Sequence, residues 1–221
     1  MKLLYSFQCE PIPLHDDRLN TLVIENQRLF RRLVLDILNQ QQGSRGEAVL
    51  SAENTILDFA KAAEVFLNPI LITSNRKSLL TRLIARLEKN ALEPDTLETT
   101  QRLLANLESL LETLCEEYPI AFDRGKLTVG NLLKMAGMSI EERADGSADT
   151  ILGYMDLVSE LEGEKLFLFV NLRSYLSDEE TTAFAHEAAL RHHRVLLLEN
   201  AERSRVPNEE RHIVDADLCE I

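Results

Sequence analysis

Cysteine is scarce in this 221-residue chain: Cys9, Cys115 and Cys219 are odd in number and far apart. They provide neither a disulfide framework nor a CxxC metal site. No apolar run approaches the roughly 20 residues that span a bilayer. The start of the chain reaches Gln8-Cys9-Glu10-Pro11 too soon for a secretory core. These absences predict a cytoplasmic protein with one main core, a smaller appendage and no membrane partner. Positive charge is also short, with 24 Lys and Arg against 37 Asp and Glu for a net charge of -13. A uniformly basic nucleic-acid surface is thereby excluded, because phosphate contacts need local positive potential.

The usual signatures of catalysis are missing as well. No GxxxxGK[ST] phosphate loop occurs, and Gly125-Lys126-Leu127 lacks both the upstream glycine and the hydroxyl residue that would reach magnesium. Asn171 stands at the strand end where an NTPase keeps a magnesium-positioning Asp. His186-Glu187 begins like HExxH, but the fifth position is Leu190, and the pair His192-His193 reads as a solvated helix end. No GxSxG or EF-hand loop is present, so ATP hydrolysis and nucleophilic hydrolysis have no sequence support.

What is present is an α/β frame. Leu166 to Val170 is continuously apolar, as a strand covered on both faces should be. Ser177 with Glu180 makes a capping box for a helix through Ala183, Phe184, Ala188 and Leu190, and Val195 to Leu198 returns as a parallel strand. Near the start, Leu3 to Phe7, Pro11 to Leu14 and Thr21 to Glu25 read as strands. The short turn Asn26-Gln27 leads into a helix from Leu29 to Leu38. Residues 48–73 fit short strands at Ala48 to Ser51, Val65 to Leu67 and Ile70 to Thr73, although Ile56 to Leu67 also fits a helix.

The middle of the chain is helical. Ser78 to Lys89 sets Leu79, Leu80, Leu83, Ile84 and Leu87 on one side and Arg82, Arg86 and Lys89 on another. After Pro94, Asp95 is expected to cap a helix with Glu98 as its capping-box partner and an apolar row from Leu97 to Leu114. Thr128 to Ala136 and Thr150 to Leu161 complete the segment, ended by Gly137 and Gly163. The predicted architecture is a discontinuous α/β head, residues 1–75 and 162–221, with a helical leg inserted at 76–161.

Two clusters bear on function. Between Ser74 and Ala91 lie Arg76, Lys77, Arg82, Arg86 and Lys89 against Glu88 alone, whereas Leu196 to Ile221 holds seven acids and three arginines. Arg82 and Arg86, four apart, could track successive backbone phosphates without reading bases; a solvated charged face is the alternative. Glu116, Glu117, Asp123, Glu141 and Glu142 could gather as hard oxygen ligands for calcium or magnesium, or stand as separate solvated acids.

Taken in order, Glu10-Pro-Ile-Pro-Leu14, Leu22 to Glu25, Asn75 with Leu79 to Leu87, Leu127 to Ile140, and Lys165 to Leu172 through Leu196 to Glu199 resemble the Csn-two family. This is the accessory spacer-acquisition protein of type II-A CRISPR-Cas systems. The resemblance implies a homotetrameric ring, a P-loop-ATPase-like head that lacks the phosphate loop and binds no ATP, and a helical leg. It also implies sequence-independent binding of double-stranded DNA, preferentially at ends, through a basic central hole. Calcium would support the ring, and the CRISPR integrase pair and the RNA-guided effector nuclease would be partners during adaptation. On that basis Arg76, Lys77, Arg82, Arg86, Lys89, Lys126 and Lys134 are expected to meet DNA, and Glu117, Asp123 and Glu141 to hold calcium. One departure concerns the metal: where the family carries an acid near a helix start, this chain reads Val129-Gly130-Asn131. A non-catalytic DNA-binding ring is the leading expectation, with a metal-dependent nuclease or a protein-only scaffold as alternatives.

Overall fold

The computed structural model describes residues 1–5, 10–123, 125–141 and 147–221. Cys9, Glu142 and the end of the first expected strand lie outside them. The chain divides into two compact units, Met1–Thr73 with Arg143–Ile221, and Ser74–Glu142.

The first unit is built around a parallel sheet, two of whose strands are buried along their whole length. Its larger sheet contains β3 (Leu19–Ile24), β6 (Ala63–Phe66), β7 (Leu166–Val170), β8 (Arg194–Glu199) and β9 (Glu209–Val214) in the order β6-β7-β8-β3-β9. Every neighbouring pair is parallel, with Leu168 opposite Leu196 and Leu22 opposite Leu198. All five residues of β7 and all six of β3 are buried, as expected where layers cover both faces.

Successive side chains leave a strand on opposite faces, so each strand serves two cores. Leu22, Ile24, Leu166, Leu168, Leu196 and Leu198 meet Leu33 and Ile37 of α1 (Gln27–Gln41). The same cluster takes Leu3, Ile12 and Leu50 from a small antiparallel sheet of β1 (Lys2–Leu4), β2 (Ile12–Pro13), β4 (Val49–Ala52) and β5 (Thr55–Ile56). Elsewhere Phe169 stacks on Phe66 with centroids 4.9 Å apart and meets Phe184 of α7 (Asp178–Leu190) edge-on at 6.0 Å. Each such side chain contributes about 1.5–3 kcal/mol by leaving water.

Several expected signals operate as read. Ser177 Oγ accepts from Glu180 N at 3.1 Å, and Ser177 N donates to Glu180 Oε2 at 2.8 Å, completing the capping box of α7. Gly163 ends α6 (Ala148–Glu162) at φ +84°, a backbone region that suits glycine. By packing, however, α6 lies in the first unit, although the sequence assigned 76–161 to the leg: Ile151, Leu152, Tyr154, Met155 and Val158 are buried, and the helix packs on α7. Residues 59–71 mix the two expected forms. A one-turn helix α2 (Phe59–Ala62) precedes β6, and Pro69–Leu71 forms a 3-10 turn where a strand was expected from Ile70, because Pro69 and the Asn68 cap favour a turn.

His193 also departs from the expected solvated helix end. It is buried, with Nε2 2.7 Å from Asp156 Oδ1 and its ring edge-on to Phe167 at 5.7 Å. The left-handed backbone of His192, φ +56°, turns the chain inward after α7.

The second unit contains α3 (Lys77–Asn90), α4 (Pro94–Glu116) and α5 (Val129–Met135). Leu79 is fully buried on α3, and α5 packs against that helix. Gly130 of α5 is needed there, since a Cβ at that position would lie 2.6 Å from Glu88 Oε2. Asn75 ties the ends of the unit together: its Nδ2 donates to Ile140 O at 2.9 Å and its Oδ1 accepts from Ile140 N at 2.8 Å. The expected Asp95 cap is displaced. Helix α4 already begins at Pro94, whose fixed φ suits the first helical position, with Glu93 at the N-cap.

Candidate nucleic-acid interface

Helix α3 separates its apolar and basic residues by helical period. Leu79 faces inward, whereas Lys77, Arg82, Arg86 and Lys89 are exposed and Arg76 is half-buried at the N-cap. Arg82 and Arg86 share a side because they are four residues apart. Lys77, Arg86 and Lys89 have no carboxylate partner among the described residues. The one acid of the helix, Glu88, is turned against Gly130 instead of neutralising the row. Lys89 in the last turn also complements the negative end of the helix dipole.

Helix α5 and the segment before it add the remaining two expected cations to the same unit. Lys134 is exposed in its last turn, and Lys126 is exposed just before it, with its carbonyl accepting from Asn131 Nδ2 at 3.1 Å. All seven expected DNA-contacting residues thus belong to Ser74–Glu142, six of them exposed.

The expected calcium ligands are not brought together. Glu117 follows α4 at its C-cap, and Glu117, Asp123 and Glu141 are each exposed. Among the described residues no group of three or more His, Cys, Asp or Glu side chains is arranged to hold a metal ion. Near Glu117, a cavity of about 360 Å³ is lined by Glu112, Cys115, Glu116, Tyr118, Ile120 and Phe122, with Tyr118 and Phe122 edge-to-face at 6.0 Å. Its aromatic side makes it a poor match for a hard cation, which prefers a shell of oxygens.

Open α/β sheets bind ligands outside the carboxyl ends of their strands, often on a helix N-terminus. In the first unit that position is filled by the chain itself. Asn26 Oδ1 accepts from Arg28 N at 3.2 Å and Leu29 N at 3.1 Å, and Asn26 Nδ2 donates to Ala216 O at 2.9 Å. At the ends of neighbouring strands, Asn171 Oδ1 accepts from Asn200 N at 3.0 Å, and Glu199 Oε1 accepts from Arg173 N at 3.1 Å. Burial pushes the Glu199 carboxyl above its ordinary value, opposed by the Arg173 N–H and by the charges of Arg203 and Arg173. Arg173 is engaged too, donating to Ser204 O at 2.7 Å and Asp178 Oδ1 at 2.6 Å.

One basic feature escaped the sequence reading. Arg28, Arg31 and Arg32 sit at the start of α1, at the i, i+3 and i+4 spacing of one helix side. Their spacing is the signal that could have found them, but three arginines on one helix side are a weaker local excess of charge than the run at 74–91.

Comparison with known proteins places these features in a family. The family model described as CRISPR-associated protein (Cas_Csn2) matches residues 40–218. A CRISPR-associated protein Csn2 from Streptococcus agalactiae is 23% identical over 125 residues, 57% of this chain and 55% of that protein. The match thus spans about half the length of the curated relative. In fold, the chain is similar to the crystal structure of Stu0660 of Streptococcus thermophilus, with a TM-score of 0.56 and 14% identity over 91% of this chain and 69% of the other. Among the described residues no helix is long and apolar enough to cross a membrane. With its family model matched over most of its length, the chain belongs to the Csn2 family of CRISPR-associated proteins.

Proposed function

We propose that the protein is a non-catalytic, ring-forming binder of double-stranded DNA ends, acting in spacer acquisition while the integrase pair and the RNA-guided effector nuclease supply the chemistry. The observation that carries this reading is the exposed row on α3, where Lys77, Arg86 and Lys89 lack carboxylate partners among the described residues, in a chain of net charge -13. Such a row suits a repeating phosphate backbone and reads no bases. The exposed Lys126 and Lys134 extend the same chemistry.

Assembly is supported by what α4 leaves uncovered. None of its 23 residues is buried, and Leu103, Leu110 and Leu114 each keep more than half their surface exposed. An apolar stripe of that length calls for a partner. In the proposed ring, four copies of the chain cover it and concentrate dispersed cations around a duplex. The first unit then acts as a P-loop-ATPase-like frame without ATP, a reading supported by its parallel sheet and by Asn26 occupying the helix N–H groups. For calcium, the described residues offer no set of three ligands within one chain.

The α4 stripe also suits a protein-only scaffold. A binding titration of linear duplex with the parent and with Arg82→Glu/Arg86→Glu separates the readings. The proposal expects the charge reversal to weaken binding at least tenfold at low salt. A parent that binds no duplex at low salt would favour the scaffold, unchanged binding by the variant would take the DNA contact off α3, and cleavage of the duplex with magnesium or manganese would favour a nuclease.

A further inference from the structure

In the first unit, two of the three arginines of α1 differ from most of their counterparts in what they touch. Arg18 pairs with Asp17 and Glu210, Arg191 with Asp156 and Glu187, Arg194 with Asp16, and Arg211 with Glu202 and Glu209. Arg28 and Arg31 are exposed and have no carboxylate partner among the described residues. In an acid-rich chain, that isolation leaves their charges available.

The surrounding groups keep them available. Both arginines line an open cavity of about 460 Å³ together with Arg32, Leu35, Asp36 and Glu47. The two acids are engaged elsewhere. Asp36 accepts from Glu47 N and Ala48 N, each at 2.8 Å, and from Gln40 Nε2 at 3.0 Å. Glu47 holds Arg32 Nη2 through both carboxylate oxygens, at 2.6 and 2.7 Å. Leu35, 53% exposed, follows the cations on the same helix side.

Placement at a helix start sharpens the point. An N-terminus carries partial positive charge and favours acids, as in α7, whose first turn holds Asp178, Glu179 and Glu180. The first turn of α1 has no acid and carries Arg28 instead. Departure from a local preference without a folding contact is the mark of a surface kept for a ligand.

We infer that Arg28 and Arg31 of α1 form a second phosphate-contacting surface for duplex DNA, carried by the first unit. The inference rests on the proposed DNA binding and extends it to a second site. Residues three apart on a helix lie about 5–6 Å apart at Cβ, and each DNA strand carries a phosphate every ~3.4 Å of rise. Two flexible guanidiniums at that spacing reach neighbouring phosphates of one strand. The cavity is open, and among the described residues it has no cradle of free N–H groups for a compact anion, while a backbone lying across it meets both cations.

The test measures affinity of the full chain for a 30-base-pair duplex as salt is raised, using the parent, Arg28→Ala/Arg31→Ala and Arg82→Ala/Arg86→Ala. Loss of two phosphate contacts lowers the slope of log affinity against log salt by about 1.8, at about 0.9 per phosphate. The expected result is such a drop in each variant, with melting temperatures unchanged. A slope unchanged in Arg28→Ala/Arg31→Ala but lowered in Arg82→Ala/Arg86→Ala overturns this inference and leaves the proposed function standing. A parent that binds no duplex at low salt overturns both. Polyglutamate is the second probe: its loss by Arg28→Ala/Arg31→Ala with the DNA slope intact assigns the surface to an acidic protein and overturns the inference.

Discussion

Glu199 has only 2% of its surface exposed and carries a carboxyl whose pKa is raised, chiefly by burial. Its protonated form is therefore favoured by folding. The stability it contributes is present at low pH and is lost as pH rises through the folded-state value. Glu199→Gln, which imitates the protonated form and keeps an acceptor for Arg173 N, should match the parent near pH 4 and melt higher near pH 8. Each kcal/mol gained corresponds to about 2–4 °C for a chain of this size. Melting curves across that range check the sign, and equal curves would mean that the charges of Arg173 and Arg203 offset the burial. Asn75 offers a second residue-level test. Its two hydrogen bonds to Ile140 close the second unit, so Asn75→Ala should cost about 1–2 kcal/mol in urea unfolding, discounted for partial exposure.

At the scale of elements, legibility followed the strength of the local signal. Strand β7 and the capping box of α7 could be read directly because an unbroken apolar run and a Ser-to-Glu spacing have few alternatives. Strand β9 was missed. Its Glu-Glu-Arg-His start looks like solvent-facing chain, yet Glu209 is buried and held by Arg211 Nη2 at 2.6 Å, a pairing sequence order does not reveal. The candidate site was legible to the same uneven degree: the row on α3 stands out as a local excess of charge, whereas Arg28 and Arg31 are distinguished by the engagement of the acids beside them, which sequence order does not reveal. Helix α4 carries the clearest element-level prediction. Leu103→Glu/Leu110→Glu should reduce subunit association at least tenfold with little change in helix content, measured by sedimentation and circular dichroism, because no residue of α4 is buried within one chain.

For the whole molecule, net charge and local charge point in different directions. An acidic chain repels duplex DNA at long range, so the proposed binding requires cations collected by assembly, and its affinity should fall steeply with salt. Native mass spectrometry is expected to give four subunits, and a stable monomer would remove the ring from the proposal. Nucleotide should have no effect: with Asn26 filling the helix start, ATP is expected neither to be hydrolysed nor to raise the melting temperature. The most direct test of the account is a low-salt binding titration comparing a linear duplex with a covalently closed circle of the same sequence. A ring that takes DNA by its ends binds the linear form at least tenfold more tightly; equal affinity for the circle, or no affinity for either, would contradict it.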